Sequence, residues 1–250
     1  MRVLLTNDDG IDSPGLEAIR DALEQDHEVW VLAPESERSA MSHYITIKDP
    51  VRCLQVDEQA FASSGSPADC VILGLLGALP IEPDVVVSGI NIGPNLGTDI
   101  IYSGTAAAAR QAAIMRKPGI ALSIDGFDEP FHFEPFARFV REHLEELVSL
   151  WDVHHFININ SPNTAEWNKP VEITSPSTRI YHDKLSEFRT PRGEVYFFMG
   201  GAPVTSELEP GTDWHAVSQG SISVSPIYIN PVNHKEDAAY REAAFLRQQA

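Results

Sequence analysis

With 250 residues, 43% of them apolar and 22% charged, the chain has the makeup of a globular protein able to bury a sizeable core. A formal charge of −18 argues against a surface that neutralises duplex nucleic acid, and no run approaches the roughly 18 apolar residues of a membrane span. The opening MRVLLTNDDG turns acidic too soon for a secretory segment, and the spacing of Cys53 and Cys70 fits neither a redox pair nor a zinc knuckle, so the expectation is a cytoplasmic protein with reduced, mostly buried thiols.

The first half of the chain alternates strand and helix signals. RVLL (2–5) is a short apolar run, and Ser13 and Pro14 then make an N-cap and N1 pair ahead of Leu16, Ile19 and Leu23 at helical spacing. EVWVLAP (28–34) and DVVVSG (84–89) read as strands stopped by Pro or Gly, and between them Ser66 and Pro67 open a helix expected to run through PADCVILGLLGAL (67–79). SGTAAAARQAAIMR (103–116) starts another helix and GIALS (119–123) another strand. Phe136, Phe139, Val140, Leu144, Leu147 and Trp151 place an amphipathic helix over about 133–150, and FININSP (156–162) gives a further strand. Apolar strands separated by helices imply an α/β fold, a doubly wound parallel sheet covered on both faces. Past residue 165 the strand-like pieces VEITSPS, EVYFFMG and SISVSPIYI lack that alternation, so the expected division is a core at 1–165 and a β-rich extension at 166–250, used in oligomerisation.

In such a sheet ligands bind beyond the carboxyl ends of the strands, and four polar loops share that address. They carry Asp8 and Asp9, Ser39, Ser88 to Asn91, and Asn95 to Thr105. Adjacent Asp residues in a regular strand would face opposite ways, so both can serve one ion only on a turned backbone, which Gly10 permits. Carboxylates with hydroxyl and amide oxygens suit Mg²⁺, Mn²⁺ or Ca²⁺, although NDDG by itself is equally a turn or capping cluster. In SGINIGPNLGTDIIYSGTAAAARQAA (88–113), four glycines let the backbone approach a ligand closely. Ser103, Gly104 and Thr105 open a helix whose free N–H groups favour phosphate, or else Ser103 is simply an N-cap. There is no GxGxxG after the first strand, no phosphate-binding GxxxxGK[ST] and no GxSxG. His43 is a weak candidate, His154 and His155 lie in a strand pattern with one facing in and one out and read as structural, Asp69 and Asp99 suit helix-start and loop bonding, and Arg110 is expected to pair with a carboxylate.

These segments carry a resemblance. LLTNDDGIDSPGLEAI, APESERSAMSHYIT, SSGSPADCVILGL, PDVVVSGINIGPNLGTDIIYSGTAAAAR and DWHAVSQGSISVSPI resemble, in order and spacing, the SurE family of metal-dependent nucleotidases. The resemblance implies a Rossmann-like catalytic core with a C-terminal extension exchanged between subunits of a homodimer or homotetramer. It implies one divalent ion, Mg or Mn, or Ca in a crystal, on Asp8, Asp9, Ser39 and Asn91, with Asn95, Ser103, Gly104 and Thr105 around the substrate phosphate. Nucleoside 5′- and 3′-monophosphates are the implied substrates; polyphosphate hydrolysis, another small phosphomonoester, or a non-catalytic nucleotide sensor are the alternatives. An activated water is the favoured nucleophile, with Asp8 or Asp9 as base or Asp8 attacking directly as the other routes, and His234 as a candidate acid toward the leaving oxygen. The chain departs from the family at Ala40, in GSPADC from Gly65, at Ala106 to Ala109, and at Asn230, where an Asp is common four residues before the His.

Overall fold

A computed structural model describes residues 1–167, 169–230 and 240–242. The centre of the fold is a nine-stranded sheet built from β1 (Arg2–Thr6), β2 (Glu28–Pro34), β3 (Cys53–Asp57), β4 (Ala60–Ser63), β5 (Val85–Ile92), β6 (Gly119–Asp125), β7 (His155–Pro162), β8 (Val171–Ile173) and β11 (Ile222–Tyr228). Across the sheet the order is β3-β4-β2-β1-β5-β6-β7-β11-β8, and the run from β4 to β7 is parallel throughout. β2 and β5 flank β1, so the winding reverses there and opens a crevice at its carboxyl end.

Alternation along the strands divides the core in two. Val3 and Leu5 of β1 face α1 (Pro14–Leu23) and α4 (Phe133–Leu150), packing with Leu16, Ile19, Phe136, Val140 and Leu144. Leu4 faces the opposite layer, with Val71 of α2 (Pro67–Leu73) and Ala108 and Ala112 of α3 (Gly104–Ile114). The alanine run lets α3 lie against the sheet: a Cβ added at Gly119 of β6 would stand 2.0 Å from the carbonyl oxygen of Ala109. α2 is shorter than the sequence pattern suggests, giving way to a wider turn at 74–78 in which Gly77 has φ +99°. Its start is a reciprocal cap: Ser66 Oγ accepts from the Asp69 N–H, and Asp69 accepts from the Ser66 N–H. At the head of α1, Pro14 takes the first turn, while Ser13 makes no capping bond.

The chain beyond residue 165 has two destinations. β8 and β11 join the main sheet, β11 antiparallel to β7, while β9 (Arg179–Arg189) and β10 (Val195–Ser206) form a separate antiparallel hairpin. Between them and β11 lies the short helix α5 (Asp213–Ser218). Cys70 is buried and its thiol is pushed up to about 12, whereas Cys53 lies exposed on edge strand β3, contrary to the expected burial. Among the described residues no helix is long and apolar enough to cross a membrane.

Candidate active site

β1 delivers Asp8 to the crevice. The Asn7 side chain closes the turn that follows, donating to the Gly10 carbonyl at 2.8 Å and accepting from the Gly10 N–H at 3.2 Å, with Gly10 at φ +105°. This turned backbone lets both carboxylates work at one end of the sheet: Asp9 accepts from the Ile92 N–H at 3.1 Å, at the end of β5, while Asp8 meets the start of α3. There the Thr105 hydroxyl donates to Asp8 Oδ1, and Gly104 leaves room for the carboxylate, since a Cβ at that position would stand 2.8 Å from Asp8 Cβ and Oδ2. The helix start that the sequence assigns to phosphate thus acts first on Asp8.

Burial pushes the Asp8 carboxyl up, opposed by the Thr105 hydroxyl and by the N–H groups of Thr105, Asp8 and Gly104. Asp9 is pushed up to about 6 by burial and then by the charge of Asp8. Neither carboxylate forms an ion pair with Lys or Arg among the described residues. Two sequestered carboxylates that repel each other and have no protein cation are suited to a divalent ion.

The neutral candidates stand in the same cleft. Asn91 donates its amide to the carbonyls of Gly93 at 2.7 Å and Ile92 at 3.2 Å, which leaves Oδ1 as its ligating atom. Ser39 is exposed, its hydroxyl donating to Glu37 at 2.9 Å. Its loop folds back through Ala40 and Ser42, both at positive φ, and Ser42 donates to the carbonyls of Tyr102 and Ile101. Ser103 Oγ accepts from the Ala106 N–H at 3.0 Å as the cap of α3. Asp8, Ser39, Asn91, Asn95 and Ser103 line one cleft of about 380 Å³, with Asp9, Gly104 and Thr105 set around it. Among the described residues no three His, Cys, Asp or Glu side chains gather to hold a metal, so the candidate set is two carboxylates completed by neutral oxygens, a donor set for a hard cation.

Sequence reasoning missed what holds Asn95. Its carbonyl accepts from Asn158 and Asn160 of β7, its N–H donates to Asn160 at 2.8 Å, and its amide donates to Ser123 at 2.8 Å. The signal was polar residues at alternate positions of FININSP, a strand otherwise buried. Asp213 was missed as well: its buried carboxylate accepts from the N–H groups of Gly97, Ser177 and Trp214, fixing the turn after Asn95. His43 ties its loop to Gln111, His154 stacks on Tyr228 and His155 bonds Asp152, all outside the cleft lining. Arg110 does not take the expected carboxylate partner; it donates to the Ile100 carbonyl and lies over the Phe156 ring. Asn230 is exposed, and His234 lies outside the described residues.

With this geometry in place, comparison with known proteins decides the family. The description "Survival protein SurE" matches residues 3–183. The chain belongs to the SurE family. Curated SurE relatives named "5'-nucleotidase SurE" include that of Citrifermentans bemidjiense, 40% identical across 94% of this chain and 95% of the relative. Another, from Geobacter sulfurreducens, is 40% identical across 94% and 90%. The crystal structure of the SurE protein from Aquifex aeolicus superposes with a TM-score of 0.84 at 34% identity, covering 97% of this chain and 100% of that one. The SurE resemblance and the α/β fold expected from the sequence are both borne out.

Proposed function

We propose that this chain is a metal-dependent 5′-nucleotidase, a phosphomonoesterase that releases phosphate from nucleoside 5′-monophosphates and extends to 3′-monophosphates. The observation that carries the reading is the pair Asp8 and Asp9, sequestered at the reversal of the sheet with no Lys or Arg paired to them among the described residues. The names of its relatives support the nucleotide. Asp8, Asp9, Ser39 and Asn91 would hold one Mg²⁺ or Mn²⁺, with Ca²⁺ as a non-physiological substitute. Such an ion supplies charge neutralisation for phosphoryl oxygens and acidifies a water toward neutral pH.

The chain's own residues then have separate tasks. Thr105 and the start of α3 fix the direction of the Asp8 carboxylate, and Asn91 presents an oxygen because its amide hydrogens are engaged. Asn95, anchored from β7, and Ser103 border the space left for the phosphoryl group, where fixed donors stabilise charge on the equatorial oxygens. Asp8 and Asp9, when engaged with a cation, are poor bases, which favours water over either carboxylate as the attacking group.

The reading further includes a cytoplasmic homodimer or homotetramer. Its support is the β9–β10 hairpin, where Leu185, Phe197, Phe198 and Met199 are exposed, an apolar surface of the kind that subunits cover. The test is phosphate release from a panel of 5′- and 3′-monophosphates with Mg²⁺, Mn²⁺ or EDTA. Release that requires metal and collapses in Asp8→Asn is the expected result, while folded protein that hydrolyses none of the panel would sink the proposal.

A further inference from the structure

The cleft has two chemically different parts. Its depth is polar, with Asp8, Asn91, Asn95 and Ser103, but its mouth carries three aromatic rings: Tyr102, Phe127 and Tyr181, which are 53%, 75% and 36% exposed. Rings left open beside a polar pocket have a large apolar area to cover, and their placement is specific. Tyr102 directly precedes Ser103 in the chain. Phe127 lies against Gly93, two residues past Asn91, so closely that a Cβ at Gly93 would stand 2.3 Å from the ring. Tyr181 comes from β9 and meets Tyr102 edge to face, with centroids 5.9 Å apart.

Tyr181 is also held in place. Its hydroxyl donates to Asp99, Asp99 pairs with Arg179 at 3.1 Å, and the Arg179 guanidinium lies 4.5 Å from the centre of the Trp214 ring. With the phosphoryl group in the depth and a ribose as spacer, the next part of a nucleotide to reach the mouth is its base. We infer that Tyr102, Phe127 and Tyr181 form a stacking subsite for a nucleobase, with Asp99 and Arg179 as positioning residues for Tyr181. The inference rests on the nucleotidase reading for the identity of the planar group. Every base offers a π face, so such a subsite tolerates all of them and favours purines through their larger area.

The test is calorimetric titration of adenosine, with ribose as the control, into wild type, Tyr102→Ala, Phe127→Ala and Tyr102→Phe, each checked for folding by circular dichroism. Wild type should bind adenosine and not ribose, the two alanine variants about tenfold more weakly, and Tyr102→Phe like wild type. Equal affinity in all four proteins, or no adenosine binding by wild type, overturns the inference. Phosphate release is measured in parallel. If adenosine binds through the rings but no nucleotide is hydrolysed, the subsite stands and the nucleotidase reading falls. Where both hold, the alanine variants should lose kcat/KM toward adenosine 5′-monophosphate about tenfold more than toward ribose 5-phosphate, chiefly through KM; equal losses on the two substrates overturn the subsite.

Discussion

The Thr105 hydroxyl donates to Asp8 Oδ1, joining the start of α3 to the end of β1 across 97 residues of sequence. This hydroxyl, added to the N–H groups of Thr105, Asp8 and Gly104, narrows the directions in which the carboxylate can present its remaining lone pairs. Removing that donor in Thr105→Val should lower Mn²⁺ affinity and kcat/KM by about 10- to 100-fold, and Thr105→Ser should restore most of both. Calorimetry and phosphate-release kinetics on the two variants read this directly; a Thr105→Val protein with wild-type values would show that Asp8 needs no such support.

Gly104 is limited by space. An added methyl would meet Asp8 Cβ and Oδ2 at 2.8 Å, so Gly104→Ala should displace the carboxylate and reduce kcat/KM by about 100-fold. The urea midpoint reports whether the fold survives the substitution, and full activity in a stable Gly104→Ala protein would contradict the placement of Asp8.

Metal should stabilise the folded chain by mass action. At a hundred times its Kd, Mn²⁺ adds about 2.7 kcal/mol, seen as a rise in Tm over the EDTA-treated protein. At the proposed site, Asp9→Asn removes one of the two charges that would draw the ion in and should abolish most of that rise. Scanning calorimetry with and without Mn²⁺ checks it, a rise of the same size in the variant being the contrary result.

Asp213 gathers three backbone N–H groups at a buried position. Asp213→Ala leaves them without an acceptor and should destabilise the protein by about 3 kcal/mol. Urea titration should show a lower midpoint with an unchanged slope, and a shift under about 1 kcal/mol would mean that water replaces the carboxylate.

Cys70 gives stability a dependence on alkaline pH. Its folded value is raised from 9.0 to about 12, so the native state keeps a proton that the unfolded chain loses first. The contribution is present in full below pH 9.0 and is lost as pH rises through about 12, with a slope approaching ~1.4 kcal/mol per pH unit in between. Cys70→Ala should flatten that part of the profile relative to wild type. In native protein a thiol reagent should label exposed Cys53 and spare Cys70, which mass spectrometry can count.

The legible parts of the fold were those with strong local patterns. Val85 to Val87 and Gly119 to Leu122 stand out because a parallel strand buried on both faces is continuously apolar, and α4 because its apolar stripe is unbroken. β3 is exposed at every position and β9 at nearly every one, so neither leaves an apolar trace. The return of β11 to pair with β7 is a long-range choice that local pattern does not encode. Asp8, Ser39, Asn91, Asn95 and Ser103 could be gathered from strand-end loops alone. Asp213, by contrast, looks like an ordinary helix-start acid until the Gly97 turn is seen resting on it.

That last tie also orders events in time. Asp213 leaves the ribosome 116 residues after Gly97, roughly 6 to 23 seconds later at ordinary rates of synthesis. During that interval the strands around Asp8 can pair, and Asn158 and Asn160 of β7 can take hold of Asn95, while the Gly97 N–H still lacks its acceptor. A nascent chain therefore carries its carboxylates and the β7 hold on Asn95 before the Gly97 turn has its acceptor, so the border of the cleft is set in two stages.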